Sequence, residues 1–143
     1  MIVLDTNVVS ALMRDEPDMT VLTWLDDQPA ESMWTTAVTV YEITTGLELL
    51  GATRRRQQLE TAFERLLGVL DGRVLAFDRA AAAAAGTLMA QGRKAGRSVE
   101  IRDTQIGGIA LARKATLATG NTRHFRDFGV RLADPWKPLP RKR

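Results

Sequence analysis

The sequence predicts an α/β domain with a central, mainly parallel, twisted sheet of four to five strands and helices on both faces. Three observations carry this. Short apolar segments such as IVL at residues 2–4 and ATLAT at 115–119 alternate with longer segments whose apolar residues recur at helical spacing. No linker or internal repeat interrupts the 143 residues, which is the length of one ordinary domain. At 45% hydrophobic and 26% charged, the chain has the composition of a packed globule and not of a disordered segment.

The elements follow in order. Ile2 to Leu4 reads as a short buried strand that stops on Asp5-Thr6-Asn7. Asn7 to Met13 reads as a short helix with Thr6 or Asn7 as its cap. After the break at Asp15-Glu16-Pro17, Asp18 caps a helix to about Asp27, with Val21, Leu22, Trp24 and Leu25 as its apolar members. Met33 to Thr36 is the second strand. Val38 to Leu50 is helical and stops at Gly51. Thr53 to Leu70 is a longer helix, with Leu59, Phe63, Leu66, Leu67 and Leu70 on one stripe. Asp71-Gly72 turns into a third strand, Arg73 to Phe77. Asp78 caps an alanine-rich helix from Arg79 to about Lys94, closed by Gly96, whose alanine run is read simply as strong helix former. Arg102 to Lys114 is a further helix and Ala115 to Thr119 a strand. A turn follows with Gly120, Asn121 and His124. Val130 to Leu132 is a last edge strand, and Asp134-Pro135-Trp136 ends the ordered part. The domain is accordingly placed at residues 1–137, with residues 138–143 a basic C-terminal tail.

Composition excludes several chemistries. Without cysteine there are no disulfides and no thiolate metal sites. One histidine, His124, rules out multi-histidine zinc centres. No apolar run approaches the ~20 residues that span a bilayer, and no basic segment precedes Ile2 as in a signal peptide. The expected location is the cytoplasm, with no membrane partner. The net charge of +3 is only a mild tilt toward polyanions. The runs Arg54-Arg55-Arg56 and Arg141-Lys142-Arg143 read first as a solvated face and a frayed tail.

Three acids carry the functional signal. Asp5 lies at the carboxyl end of the first strand, where ligands collect in such sheets. Asp103 lies in the first turn of its helix, on the small, apolar face of Ile106, Gly107 and Ala110. Gly107-Gly108 costs that helix roughly 1 kcal/mol per glycine relative to alanine, so a close backbone approach is expected there. Glu42 lies early in a largely apolar helix with no basic residue at helical spacing. Singly, each acid has a plain reading: Asp5 a cap, Asp103 a first-turn charge, Glu42 a solvent edge. Together they suggest a carboxylate site for a hard divalent cation, Mg²⁺ or Mn²⁺, whose charge would offset their repulsion.

The segments IVLDTNVVS, TVYEITTGLELL, IRDTQIGGIALA and TLATGNTRHF, with the closing DPW, resemble in order and spacing a PIN-domain ribonuclease. Among these, the chain is most similar to the VapC-type toxins of bacterial toxin–antitoxin pairs, in the branch with the FitB-like proteins. The resemblance implies a PIN-like domain and a Mg²⁺-dependent endoribonuclease. It implies Asp5, Glu42 and Asp103 as metal ligands and catalytic residues, with Glu42 bound directly, through water, or orienting the attacking water. A fourth, often acidic family position falls on Asn121, which brings no charge but can bind a metal-bound water or a phosphate oxygen. Gly120 stands where the family often has arginine. Thr6 and Thr119 are implied as supporting hydroxyls. Further implications are a homodimer, and a VapB-like antitoxin that lies across the site and carries the pair onto operator DNA. His124 is read as structural or RNA-contacting, and Arg102 as a rim or plain surface arginine. Trp24, Trp34 and Trp136 either stack on bases or pack in the core or a dimer seam.

One alternative is a catalytically weak PIN-fold binding module for antitoxin or RNA, favoured by the uncharged Asn121. Other phosphoryl-transfer folds are disfavoured, because Asp5-Thr6-Asn7 lacks their second acid. Dinucleotide binding is disfavoured because no Gly-x-Gly-x-x-Gly follows a strand.

Overall fold

The computed structural model describes residues 1–140, so the Arg141-Lys142-Arg143 run of the expected tail lies outside the described residues. Among the described residues, five strands form one sheet: β1 (Ile2–Leu4), β2 (Met33–Thr36), β3 (Val74–Leu75), β4 (Thr116–Ala118) and β5 (Arg131–Ala133). Their order is β3-β2-β1-β4-β5, and every neighbouring pair is parallel. The helices are α1 (Thr6–Leu12), α2 (Met19–Asp26), α3 (Ala37–Leu49), α4 (Arg54–Leu70), α5 (Arg79–Lys94), α6 (Ile101–Ala112) and α7 (Thr122–Phe125). Among the described residues, no helix is long and apolar enough to cross a membrane.

Alternation along β1 divides the core. Val3 faces a cluster built with Leu88, Ile106, Ile109, Leu117, Phe125 and Phe128. Leu4 faces the opposite cluster, with Val8, Val9, Val21, Ile43 and Phe63. Period-two alternation thus feeds both faces of the sheet at once, with α5 and α6 against one and α1, α2 and α4 against the other. The helix α3 reaches both, through Val38 on one side and Ile43 and Leu47 on the other. Leu49, the last residue of α3, is 82% exposed, so the far end of the helix is not apolar surround but surface.

The expected glycine approach is present. A Cβ on Gly108 would stand 2.5 Å from the carbonyl oxygen of Ala81 and 2.8 Å from the nitrogen of Ala85. A Cβ on Gly107 would stand 2.7 Å from the Phe128 ring. The alanines of α5 therefore do more than favour helix: their small side chains let α6 cross almost backbone to backbone.

Several boundaries differ from the sequence reading. Of the caps the sequence offered α1, Asp5 is the one used and Thr6 and Asn7 are not: the Asp5 Oδ1 accepts from the Thr6 N–H at 2.8 Å. The strand β3 keeps only two residues of the expected Arg73–Phe77. The Arg73 side chain donates instead to the carbonyls of Met33, Ala30 and Val69. At the other end, Lys114 adopts a left-handed φ of 53°, so α6 stops at Ala112 and β4 starts later than expected. The turn after β4 holds α7 and a 3₁₀ segment, Arg126–Phe128, pinned by an edge-to-face pair of Phe125 and Phe128 at 5.6 Å. A four-residue helix is too short to leave a periodic signal.

Candidate active site

The chain runs outward from β1 to β2 and β3, then returns to β4 on the other side of β1. The strand order therefore reverses between β1 and β4, which is where open parallel sheets leave a crevice at their carboxyl edge. Asp5 caps β1 at that crevice. Its backbone N–H donates to the Ala118 carbonyl at 2.9 Å. Its Oδ2 accepts the Thr119 hydroxyl at 2.7 Å. Thr119 is fully buried and also accepts from Asn7 Nδ2 at 3.2 Å and from the Asn121 N–H at 3.0 Å. One hydroxyl thus ties together the ends of β1 and β4, the start of α1 and the following turn. With both oxygens engaged, the carboxylate is fixed in one orientation.

Glu42 comes from the second turn of α3 and is half-buried beside α1. Its Oε1 accepts from Thr6 Oγ1 at 3.1 Å, and Thr6 Oγ1 lies 3.1 Å from Thr39 Oγ1. The countercharge that α3 lacks locally arrives from α6: Arg102 Nη1 lies 3.5 Å from Glu42 Oε2. Asp103, the next residue along, is half-buried, and its Oδ2 lies 2.9 Å from His124 Nδ1. Both bases were outside the expected acid set. Adjacency to Asp103 was the only sequence signal for Arg102, and His124 gave none. Asn121 is exposed and joins the others through its backbone N–H to Thr119.

Electrostatics tie the acids together. Asp5 is only 5% exposed. Burial is the main reason its pKa is pushed up from 3.8 to about 6, and the charges of Asp103 and Glu42 push the same way. The hydrogen bonds from Thr119 and Thr6 oppose the rise. Burial also raises the Asp103 pKa, against the His124 hydrogen bond. Asp5 has no basic partner among these causes, so its ionised form lacks a local countercharge.

A divalent cation fits this donor set in kind. Carboxylate, amide and hydroxyl oxygens suit a hard ion, and an uncompensated buried carboxylate is what such an ion relieves. Among the described residues, however, no group of three histidine, aspartate or glutamate side chains stands arranged to hold a metal. Glu42 and Asp103 each face a base, Arg102 and His124. Each faces its base through one oxygen, Glu42 through Oε2 and Asp103 through Oδ2.

Comparison with known proteins agrees with this picture. The profile of the PIN domain matches residues 2–130. The VapC ribonuclease Y4jK of Sinorhizobium fredii is 40% identical over 139 residues, covering 96% of this chain and 99% of its own. The toxin FitB of Neisseria gonorrhoeae is 32% identical over 137 residues, covering 95% of this chain and 99% of its own. The solved structure of FitAB bound to the IR36 DNA fragment superposes with a TM-score of 0.88 at 31% identity, covering 99% of this chain and 100% of that one.

Proposed function

The chain belongs to the PIN-domain family, with VapC- and FitB-type relatives, and on that premise we propose that it is the toxic half of a toxin–antitoxin pair, a divalent-metal-dependent endoribonuclease. One observation carries the reading. Asp5, at the end of β1, is joined through Thr6 to Glu42 of α3 and lies within electrostatic reach of Glu42 and of Asp103 of α6, two acids 37 and 98 residues away in sequence, at the crevice of the sheet. The relative named as a ribonuclease, alike over nearly its whole length, supports the same chemistry.

In this reading Asp5, Asp103 and Glu42 hold Mg²⁺. When bound, the ion supplies Lewis acidity toward the phosphodiester and toward the water that attacks it. The chain's own residues do the rest. Thr119 and the Thr6 N–H keep Asp5 in one rotamer, and the Thr6 hydroxyl steers Glu42. Arg102, at the rim, offers positive charge to backbone phosphates once Glu42 is engaged elsewhere, and His124 offers an imidazole nitrogen as a hydrogen-bond partner. The net reaction adds water across the P–O3′ bond, leaving a 5′-phosphate and a 3′-hydroxyl.

The partners proposed with this activity are a VapB-like antitoxin crossing the acid site, an antitoxin-bound operator complex and a homodimer. The FitAB complex with DNA supports the second. For the homodimer, exposed Tyr41, Phe77 and Ile101 line one apolar cavity beside α3 and α6, a surface suited to self-association.

The test is cleavage of total RNA in Mg²⁺ by the wild type and by Asp5→Ala. Cleavage by the wild type alone supports the nuclease. Cleavage by neither supports a binding module for antitoxin or RNA, which the uncharged Asn121 and the base-paired acids Glu42 and Asp103 favour.

A further inference from the structure

A second cleft, of about 610 Å³, opens beside the acids and is lined by Asn7, Gly120, Asn121, Arg123, Trp136 and Lys137, among others. That volume lies within the roughly 300–1,000 Å³ of small-ligand clefts. We propose that this cleft is a subsite for one unpaired nucleotide of the RNA, with the Trp136 indole as its stacking platform. The inference rests on the ribonuclease reading and adds where the substrate's base goes.

The indole is fixed before any ligand arrives. A Cβ on Gly120 would stand 2.9 Å from both Cε3 and Cζ3 of Trp136, so the ring lies against backbone that only glycine leaves open. The backbone N–H of Trp136 donates to Asp134 Oδ1 at 2.9 Å, and the backbone N–H of Lys137 donates to the Asp134 carbonyl at 3.1 Å, closing a turn that sets the backbone carrying the ring. The half-buried ring also packs on the cluster containing Leu4 and Ala118. A stacking surface held this way loses little rotamer freedom when a base settles on it.

The cleft shares walls with the reaction centre. Asn7 is hydrogen-bonded to Thr119, which is hydrogen-bonded to Asp5, and His124 lies against Asp103. Its fixed charge is mostly positive: Arg123 and Lys137 stand against a single carboxylate, Asp134. Cations flanking an aromatic surface match a phosphate–sugar backbone with an accessible base. A base in a duplex is already stacked and cannot reach such a platform, so the substrate must present an unpaired one.

The test measures binding without cleavage, in EDTA, with three single-stranded decamers: adenylate, uridylate and a fully abasic ribose-phosphate chain. Affinity is read for every variant by anisotropy of fluorescein-labelled decamers, and quenching is read in a full-length variant carrying Trp24→Phe and Trp34→Phe, which leaves Trp136 as its one indole. The adenylate decamer is expected to quench that signal and to bind on the order of 10- to 100-fold more tightly than the abasic chain. Trp136→Leu, which keeps apolar bulk, is expected to erase the preference, and Trp136→Tyr to retain it. Gly120→Ala, which leaves the indole in the chain but displaces it, should behave like the leucine variant. Equal binding of adenylate and abasic decamers by the wild type, no binding of any decamer, or a preference that survives Trp136→Leu overturns the proposal. The two readings fail separately. Asp5-dependent RNA cleavage without base-dependent binding refutes the subsite alone, whereas base-dependent quenching without cleavage refutes the nuclease and supports the subsite.

Discussion

Replacing Asp5 by asparagine separates what this carboxylate costs the fold from what it does for the chemistry. In the metal-free protein its pKa rises from 3.8 to about 6, chiefly through burial. The folded state therefore holds this proton more tightly than the unfolded chain. Below about pH 3.8 both states are protonated and the group is neutral in its effect. Between 3.8 and about 6 the unfolded chain loses the proton first, so stability falls as pH rises. Above about 6 the loss is complete. At ~1.36 kcal/mol per pKa unit, it amounts to about 3 kcal/mol, a large share of the roughly 5–15 kcal/mol that holds a domain together. Asparagine has the shape of the protonated acid and cannot ionise. Asp5→Asn in EDTA should therefore match the wild type near pH 4 and exceed it by about 1–3 kcal/mol at pH 8, the lower bound allowing for a weakened hydrogen bond from Thr119. Urea unfolding followed by tryptophan emission at several pH values measures this. Cleavage should be lost in the same protein. Parallel pH profiles for the two proteins would refute both the buried, uncompensated charge and the electrostatic argument built on it.

Thr119→Val keeps the shape of a fully buried residue and removes a hydroxyl with three partners, so chemical denaturation should report a loss of about 2 kcal/mol and RNA cleavage should fall. Gly108→Ala places a Cβ into the backbone of Ala81 and Ala85 and should cost at least ~2 kcal/mol. Gly46→Ala, in open space on α3, should instead gain up to about 1 kcal/mol, and thermal unfolding of the pair checks both signs. Arg102→Ala removes a half-exposed partner of Glu42, so stability should change by less than ~1 kcal/mol, while RNA affinity falls and its salt dependence becomes shallower by about one phosphate contact.

The acids could be read from the sequence because each broke a local pattern. Asp5 ended a buried strand, Glu42 sat in an apolar helix without a helical partner, and Asp103 shared the small, apolar face of Ile106, Gly107 and Ala110. Gly107 and Gly108 announced a close crossing in the same way, by being expensive where they stood. What the sequence did not disclose was long-range. Nothing near Glu42 pointed to Arg102, 60 residues later, and nothing near Asp103 pointed to His124. Gly120 registered only as a missing arginine, because its contact with Trp136 exists only once the turn at Asp134 has formed. The edges of β4 and α6 were set by a single event, the φ of Lys114, and the start of β3 by the Arg73 N–H turning back to the Leu70 carbonyl, neither of which propensity registers.

The bond from Thr119 to Asp5 closes a span of 114 residues, and β1 lacks its β4 neighbour until that span is made. Folding must therefore bring Asp5 to an anchor 114 residues away before the centre exists. A fragment that ends before Thr119 lacks both that bond and the fourth strand, so it cannot assemble the acid centre whatever else of the fold it retains.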